Sequence, residues 1–235
     1  MSVPVRIATL LAAFVVVVAG AVVIVVYFLA AGPPTVDYTS MAHGGQLNLV
    51  LQEDPQNNSS SKPDWVSYFV QDPKTHQWVH TTLFKVPANT RINVTIKGYD
   101  GCTPPRNNYW SQIQGTIGGV ARVQQFKDTN KPLGPPATVS VINGWSHCAV
   151  GHTFAIPSLH LFVPVASPDA SAELCGSSPC TSGPYSLEQF SFRTPNHGGI
   201  FRWQCFVPCG GGFLDGNGGP MATIGYMTGD MEVVS

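Results

Sequence analysis

Two cysteines four residues apart, Cys205 and Cys209, close the run IFRWQCFVPC and lead into the glycine-rich stretch GGGFLDGNGG. In an oxidising compartment such a pair forms disulfides, to each other or with Cys102 or Cys148; as free thiolates it serves as soft metal donors. The residues alone leave both readings open. In HTFAIP, strand parity puts His152, Phe154 and Ile156 on one face, so the histidine shares the core-facing side. A core histidine is either satisfied by backbone or ligates a metal. His147 and Cys148 lie just before it in GWSHCAVGH, and Met221 and Met227 follow the cysteines with thioether sulfurs. No Ser/His/Asp or paired-carboxylate constellation has informative spacing, and Asp215 and Asp230 read as turn and surface residues. An electron carrier or binding module is therefore expected rather than a self-contained catalyst, with no catalytic residues assigned.

The elements that must position these groups are short runs rich in Val, Ile, Thr and aromatics: QLNLVLQ, WVSYFVQ, WVHTTLFKV, RINVTIKGY, ATVSVIN, HTFAIP, HLFVPV, FSFRT, IFRWQCFV and MEVV. Gly, Pro, Asn or Asp bounds each, and no helical period exceeds two turns after residue 45, which predicts an all-β antiparallel sandwich. In FRWQC, Phe201, Trp203 and Cys205 share the apolar face while Arg202 and Gln204 point out. A histidine and a cysteine thus sit at ends of two core strands. Residues 101–138 and 166–186 read as Gly/Pro-rich insertions whose ends are close in space. Within the second, Cys175 and Cys180 in CGSSPC suit a local bridge.

Residues 7–30 contain no charge, and 24 residues at about 1.5 Å rise span roughly 36 Å, enough to cross a ~30 Å hydrocarbon layer with tilt. The run is longer than a signal-peptide core and lacks a good small-x-small cleavage site, so it is expected to remain as an anchor over 7–31. Arg6 precedes it and Asp37 is the first charge after it, which places residues 1–6 in the cytoplasm and the C-terminal domain outside the cell membrane in a single-pass topology. A Pro/Gly linker over 32–45 then leads to one extracytoplasmic domain, 46–235. Net charge is −1 and charged residues make up only 11%, so no basic face for nucleic acid is expected.

Several segments carry a resemblance. FKVPANTRINVTIKGYD resembles the strand, turn and strand that open a cupredoxin core, and GHTFAIPSL resembles the segment with the first copper-ligating histidine. FSFRTPNHGGIFRWQCFVPCGGG resembles the strand that delivers the copper cysteine, and YMTGDMEVV the closing Met-x-Gly turn and last strand. The chain therefore resembles the cupredoxin family, a Greek-key β-sandwich. The nearest likeness is to the CuA domain of cytochrome oxidase subunit II. This implies copper, with His152 as imidazole ligand, Cys205 and Cys209 as thiolates and Met227 as thioether. The pattern's second histidine is replaced by Phe213, and the loop before Met227 is lengthened, which makes Met221 a second candidate for the axial role. Phenylalanine donates nothing, so the resemblance implies a non-standard mononuclear site, with His147 or Cys148 as candidate fourth ligand and a preference for Cu(I).

Three functions follow as expectations. The first is electron transfer at the outer membrane face, near a respiratory chain or another membrane complex. The second is a Cu(I) carrier or assembly factor. The third is a copper-free module held by disulfides, with Phe213 filling a vacated pocket.

Overall fold

The computed structural model of the protein describes residues 3–25, 32–55, 65–101, 107–142, 150–168, 175, 177–209 and 218–235. Cys102, His147, Cys148 and Phe213 lie outside the described residues. The chain divides into two units, Met1–Pro33 and Pro34–Ser235. In the first, helix α1 covers Val3–Ile24, and its described side chains from Leu10 onward are exposed. Among the described residues no helix is long and apolar enough to cross a membrane.

The second unit is built from two sheets. One runs in the order β1 (Thr35–Asp37), β5 (Leu83–Pro87), β14 (Thr228–Val234), β13 (Gly199–Gln204), β10 (Val150–Ile156) and β11 (Leu161–Ala166). The other runs β4 (Trp78–Val79), β3 (Ser67–Gln71), β2 (Gln46–Asp54), β6 (Arg91–Gly98), β12 (Tyr185–Arg193), β7 (Ala121–Asp128) and β8 (Lys131–Pro132), with β9 (Ala137–Val139) paired to β7. Most ladders are antiparallel, but β1 with β5, β5 with β14, and β2 with β6 run parallel.

Alternation explains the stacking. β6 buries every second residue, Ile92, Val94, Ile96 and Gly98, and β2 presents Leu47, Leu49 and Leu51 beside them. Facing them from the first sheet are Phe84, Phe154, Ile156 and Trp203, all fully buried in one cluster. Each such side chain contributes about 1.5–3 kcal/mol on burial. Trp203 ties the layers together: its ring meets Tyr68 edge-on at 5.1 Å and Phe154 at 4.9 Å, and its indole N–H donates to the Thr82 carbonyl at 2.9 Å. The parity expected for FRWQC holds, with Trp203 and Cys205 buried and Arg202 exposed.

Two segments differ from the sequence expectation. WVHTTLFKV is two strands in different sheets, β4 and β5, because the chain turns a corner at the buried Thr81 and Thr82. Their hydroxyls donate to Pro34 O at 2.5 Å and to Thr228 O at 2.6 Å, supplying partners that a continuous ladder would have given. Residues 101–138 also hold more than an insertion, since β7 pairs with β12 over five residue pairs from Tyr185↔Phe126 to Gln189↔Arg122. Its burial does not alternate, so period gave no signal. Cys175 and Cys180 form the local disulfide expected of CGSSPC, and they pack with Tyr99 and Tyr185 in a small cluster of their own.

Candidate metal centre

His152 lies near the start of β10, and Cys205 follows the last residue of β13; the two strands pair at Ala155↔Gln204. That pairing puts the imidazole and the thiol at the same end of the sheet. The Cys205 backbone N–H donates to Met227 O at 2.8 Å, and the Thr153 N–H donates to the Cys205 sulfur at 3.3 Å. Phe206 N in turn donates to Thr153 Oγ1 at 2.7 Å, so the chain after β13 is bolted to β10. Cys209 comes back to the same point four residues on.

The result is a cluster of soft donors. Cys205 Sγ is 3.7 Å from His152 Nδ1 and 3.4 Å from Cys209 Sγ. Cys209 Sγ lies 2.9 Å from Met221 Sδ, carried by the 3-10 turn Gly219–Ala222. His152 is 1% exposed, Cys205 0% and Cys209 5%, and both cysteines are free thiols. At bond lengths of about 2.3 Å to sulfur and 2.0 Å to nitrogen, the S–S and N–S edges subtend about 95° and about 120° at a common metal. Three- and four-coordinate centres use such angles, so these two edges suit a soft ion.

The other edge of the ring faces acids. Nε2 of His152 lies 3.0 Å from Asp100 Oδ2 and 3.0 Å from Glu53 Oε1. The electrostatics follow from burial and these contacts. Burial pushes the Glu53 carboxyl up to about 7, with His152 pulling against it. His152 is held well above the usual imidazole range, because the Glu53 charge, Cys209 and the Asp100 hydrogen bond outweigh the burial that would lower it. For Cys205 burial favours the thiol, yet hydrogen bonds from Cys209 and His152 and the imidazolium charge bring it well below the ordinary thiol range. Cys209 is pushed up by burial and by its neighbour. A buried imidazolium–thiolate pair results, with a thiolate available as donor.

The structure thus brings His152, Cys205, Cys209 and Met221 together. Met227 is fully buried beside them and contributes its carbonyl to Cys205 N, while the sulfur in contact with the thiols is that of Met221. His147 and Cys148, the candidate fourth ligands, lie outside the described residues. The sequence reading passed over Glu53 and Asp100, although the signal was there. Leu47, Leu49, Leu51 and Glu53 share one parity in β2, and Ile92, Val94, Ile96, Gly98 and Asp100 share one in and beyond β6, so both acids continue an inward row.

Fold and site together define a two-sheet β-sandwich with a buried imidazole–sulfur cluster at one end. No family model matches the chain, and no curated protein matches it. Similar solved structures are those of rusticyanin. One, described as a copper protein, is 13% identical over 85% of this chain and 82% of its own length, with a TM-score of 0.34. Rusticyanin from Thiobacillus ferrooxidans is 12% identical over 85% and 82%, again at 0.34, and reduced rusticyanin is 15% identical over 85% and 84%, at 0.33.

Proposed function

We propose that this chain is a cupredoxin-like protein, nearest in pattern to the CuA type, that holds copper through His152, Cys205 and Cys209 with Met221 as thioether and serves one-electron transfer. The observation that carries the reading is the convergence of Nδ1 and two free thiols, all buried, on one point between core strands. Sulfur-rich donors favour Cu(I), and bound copper would supply the one-electron couple. The chain's own contribution is rigidity and dryness. His152 and Cys205 are fixed by the β10–β13 pairing and by Thr153, so the donor set changes little with charge state. When copper displaces the Nδ1 proton, the acids on Nε2 would keep the remaining ring proton on that edge, so that the Nδ1 lone pair serves the metal.

Membrane attachment belongs to the same proposal and rests on the uncharged run 7–30, with residues 1–6 cytoplasmic and 46–235 extracytoplasmic. A tethered one-electron carrier at the outer face suits a respiratory or other membrane complex as partner. Delivery of Cu(I) is the second reading, favoured by three sulfurs against one imidazole; the depth of burial speaks for retention instead.

The test is anaerobic Cu(I) titration against a chromophoric chelator, followed by voltammetry. One copper per chain is expected, lost in Cys205→Ser and in His152→Ala, with a reversible couple. Rapid surrender of the metal to the chelator favours the carrier reading. No copper retained by reduced protein sinks both.

A further inference from the structure

The carboxylates around His152 exceed what orienting one ring requires. Nε2 offers a single hydrogen, and the geometry directs it to Asp100 Oδ2 at 3.0 Å. Glu53 Oε1 lies equally close to the same nitrogen but, among the described residues, has that ion-pair contact and no hydrogen bond of its own. Its other oxygen accepts only from Asp100 N–H at 3.2 Å. Glu53 is 1% exposed, and leaving a buried carboxylate oxygen without a donor is unfavourable. Orientation alone does not explain its presence.

We propose that Glu53, Asp100 and Nε2 of His152 form a second cation site, on the opposite edge of the ring from the sulfurs, for a divalent ion of nitrogen-and-oxygen preference such as Zn²⁺ or Co²⁺. The donor atoms all lie within 4.8 Å of one another. Their 3.0 Å N···O edges, at metal–ligand distances of about 2.1 Å, subtend about 90° at a common centre, an angle of five- and six-coordinate ions. An imidazole nitrogen with two carboxylates excludes the all-oxygen preference of Ca²⁺ and Mg²⁺ and lacks the sulfur that would draw Cu(I). Asp100 has a quarter-exposed side chain and Gly101 beyond it is exposed, so water can complete the shell and the ion has a way in.

The register of two parallel strands builds the site. Glu53 pairs with Gly98 in the β2–β6 ladder, and Asp100, two residues further on, meets the glutamate where the ladder ends. The entering ion takes Nε2 in place of its proton, which leaves to solvent past Asp100. With the sulfur side empty, Nδ1 keeps a proton and the ring is a neutral ligand. With a metal on both edges the ring must lose both protons, so the two sites are coupled through one side chain.

The site does not need copper on the sulfur side, and its test removes that side. The full chain in detergent carrying Cys205→Ser and Cys209→Ser is titrated with Co²⁺ and followed by visible absorption. One Co²⁺ per chain is expected, with weak ligand-field bands and no sulfur-to-cobalt charge transfer. Adding Glu53→Gln or Asp100→Asn should weaken binding more than about tenfold. Absence of Co²⁺ binding, or binding indifferent to both acid variants, overturns the proposal, as it would if Glu53 simply holds a proton. Should the double serine variant lose its near-ultraviolet dichroism, the wild-type chain decides. Co²⁺ bound without charge transfer and sensitive to Asp100→Asn supports the site; binding with charge transfer alone, unmoved by Asp100→Asn, refutes it. Failure of the copper reading shows separately, as wild-type chain that retains no Cu(I) while still binding Co²⁺.

Discussion

Met221 and Met227 are not equivalent, and exchanging each for leucine separates their roles. Leucine keeps the volume and removes the sulfur, a change that usually costs under about 1.5 kcal/mol in packing. Met221→Leu is expected to weaken Cu(I) binding and shift the potential, because its sulfur touches Cys209 at 2.9 Å. Met227→Leu should lower the melting temperature slightly and leave the copper chemistry alone; the reverse outcome in the same titration would return the axial role to Met227. A second residue tests the core. Glu188 is fully buried in β12, accepts from Ala166 N at 3.0 Å, and has an oxygen without a partner. Burial, only partly offset by that hydrogen bond, raises its carboxyl to about 8. The folded state therefore holds a proton that the unfolded chain gives up near the ordinary glutamate value of 4.5. Stability from this group is complete below that value and falls as pH rises, until the full cost applies above about 8. Glu188→Gln should flatten the decline of melting temperature between these limits, with a gain of order a few kcal/mol at the alkaline end. An unchanged slope would mean that another group carries the proton.

Among the elements, the corner at Thr82 is the tightest. A methyl group on Gly229 of β14 would meet Thr82 O at 2.0 Å, and that carbonyl also accepts from the Trp203 indole. Gly229→Ala should cost several kcal/mol, read as a drop in denaturant midpoint, because backbone on one side and the central tryptophan on the other leave no room to yield. The disulfide loop behaves oppositely. Cys175 and Cys180 pack in a separate cluster, and Asp54 holds the loop through Cys180 N at 2.9 Å and Ser178 Oγ at 3.1 Å. Replacing both cysteines by serine is expected to lower stability modestly and leave Cu(I) stoichiometry unchanged, since the cluster at Cys205 shares no residue with it. Alternation in β6 and β13 was legible in the sequence because each buries one face only. β7 escaped notice because it is half-buried on both faces, and the β4–β5 corner because Thr fits strand and turn alike. Of the site, type and spacing left the histidine and cysteines open between core, disulfide and ligand, and it was the resemblance that singled them out as ligands. The acids left a signal that was passed over, because a carboxylate continuing an apolar row reads equally as the end of a strand.

At the scale of the whole molecule, the two units divide at Pro33 and Pro34, within the stretch read from the sequence as a linker. A chain beginning at residue 34 is expected to fold, bind Cu(I) as the full chain does, and remain in the soluble fraction. The full chain should sediment with membranes and resist extraction by salt or alkaline carbonate. Release of the full chain by salt alone would remove the anchor from the proposal. Among the described residues β5, Leu83–Pro87, is joined to β13 and β10 through β14, which follows both cysteines in the chain. The segment that unites the sheet is therefore made after both Cys205 and Cys209. Until it arrives, Cys205 and Cys209 have already emerged without the strand whose neighbour Met227 receives the Cys205 amide. A nascent chain halted before Thr228 would expose both thiols to stray oxidation, and their capture by a thiol reagent should fall sharply once β14 is added.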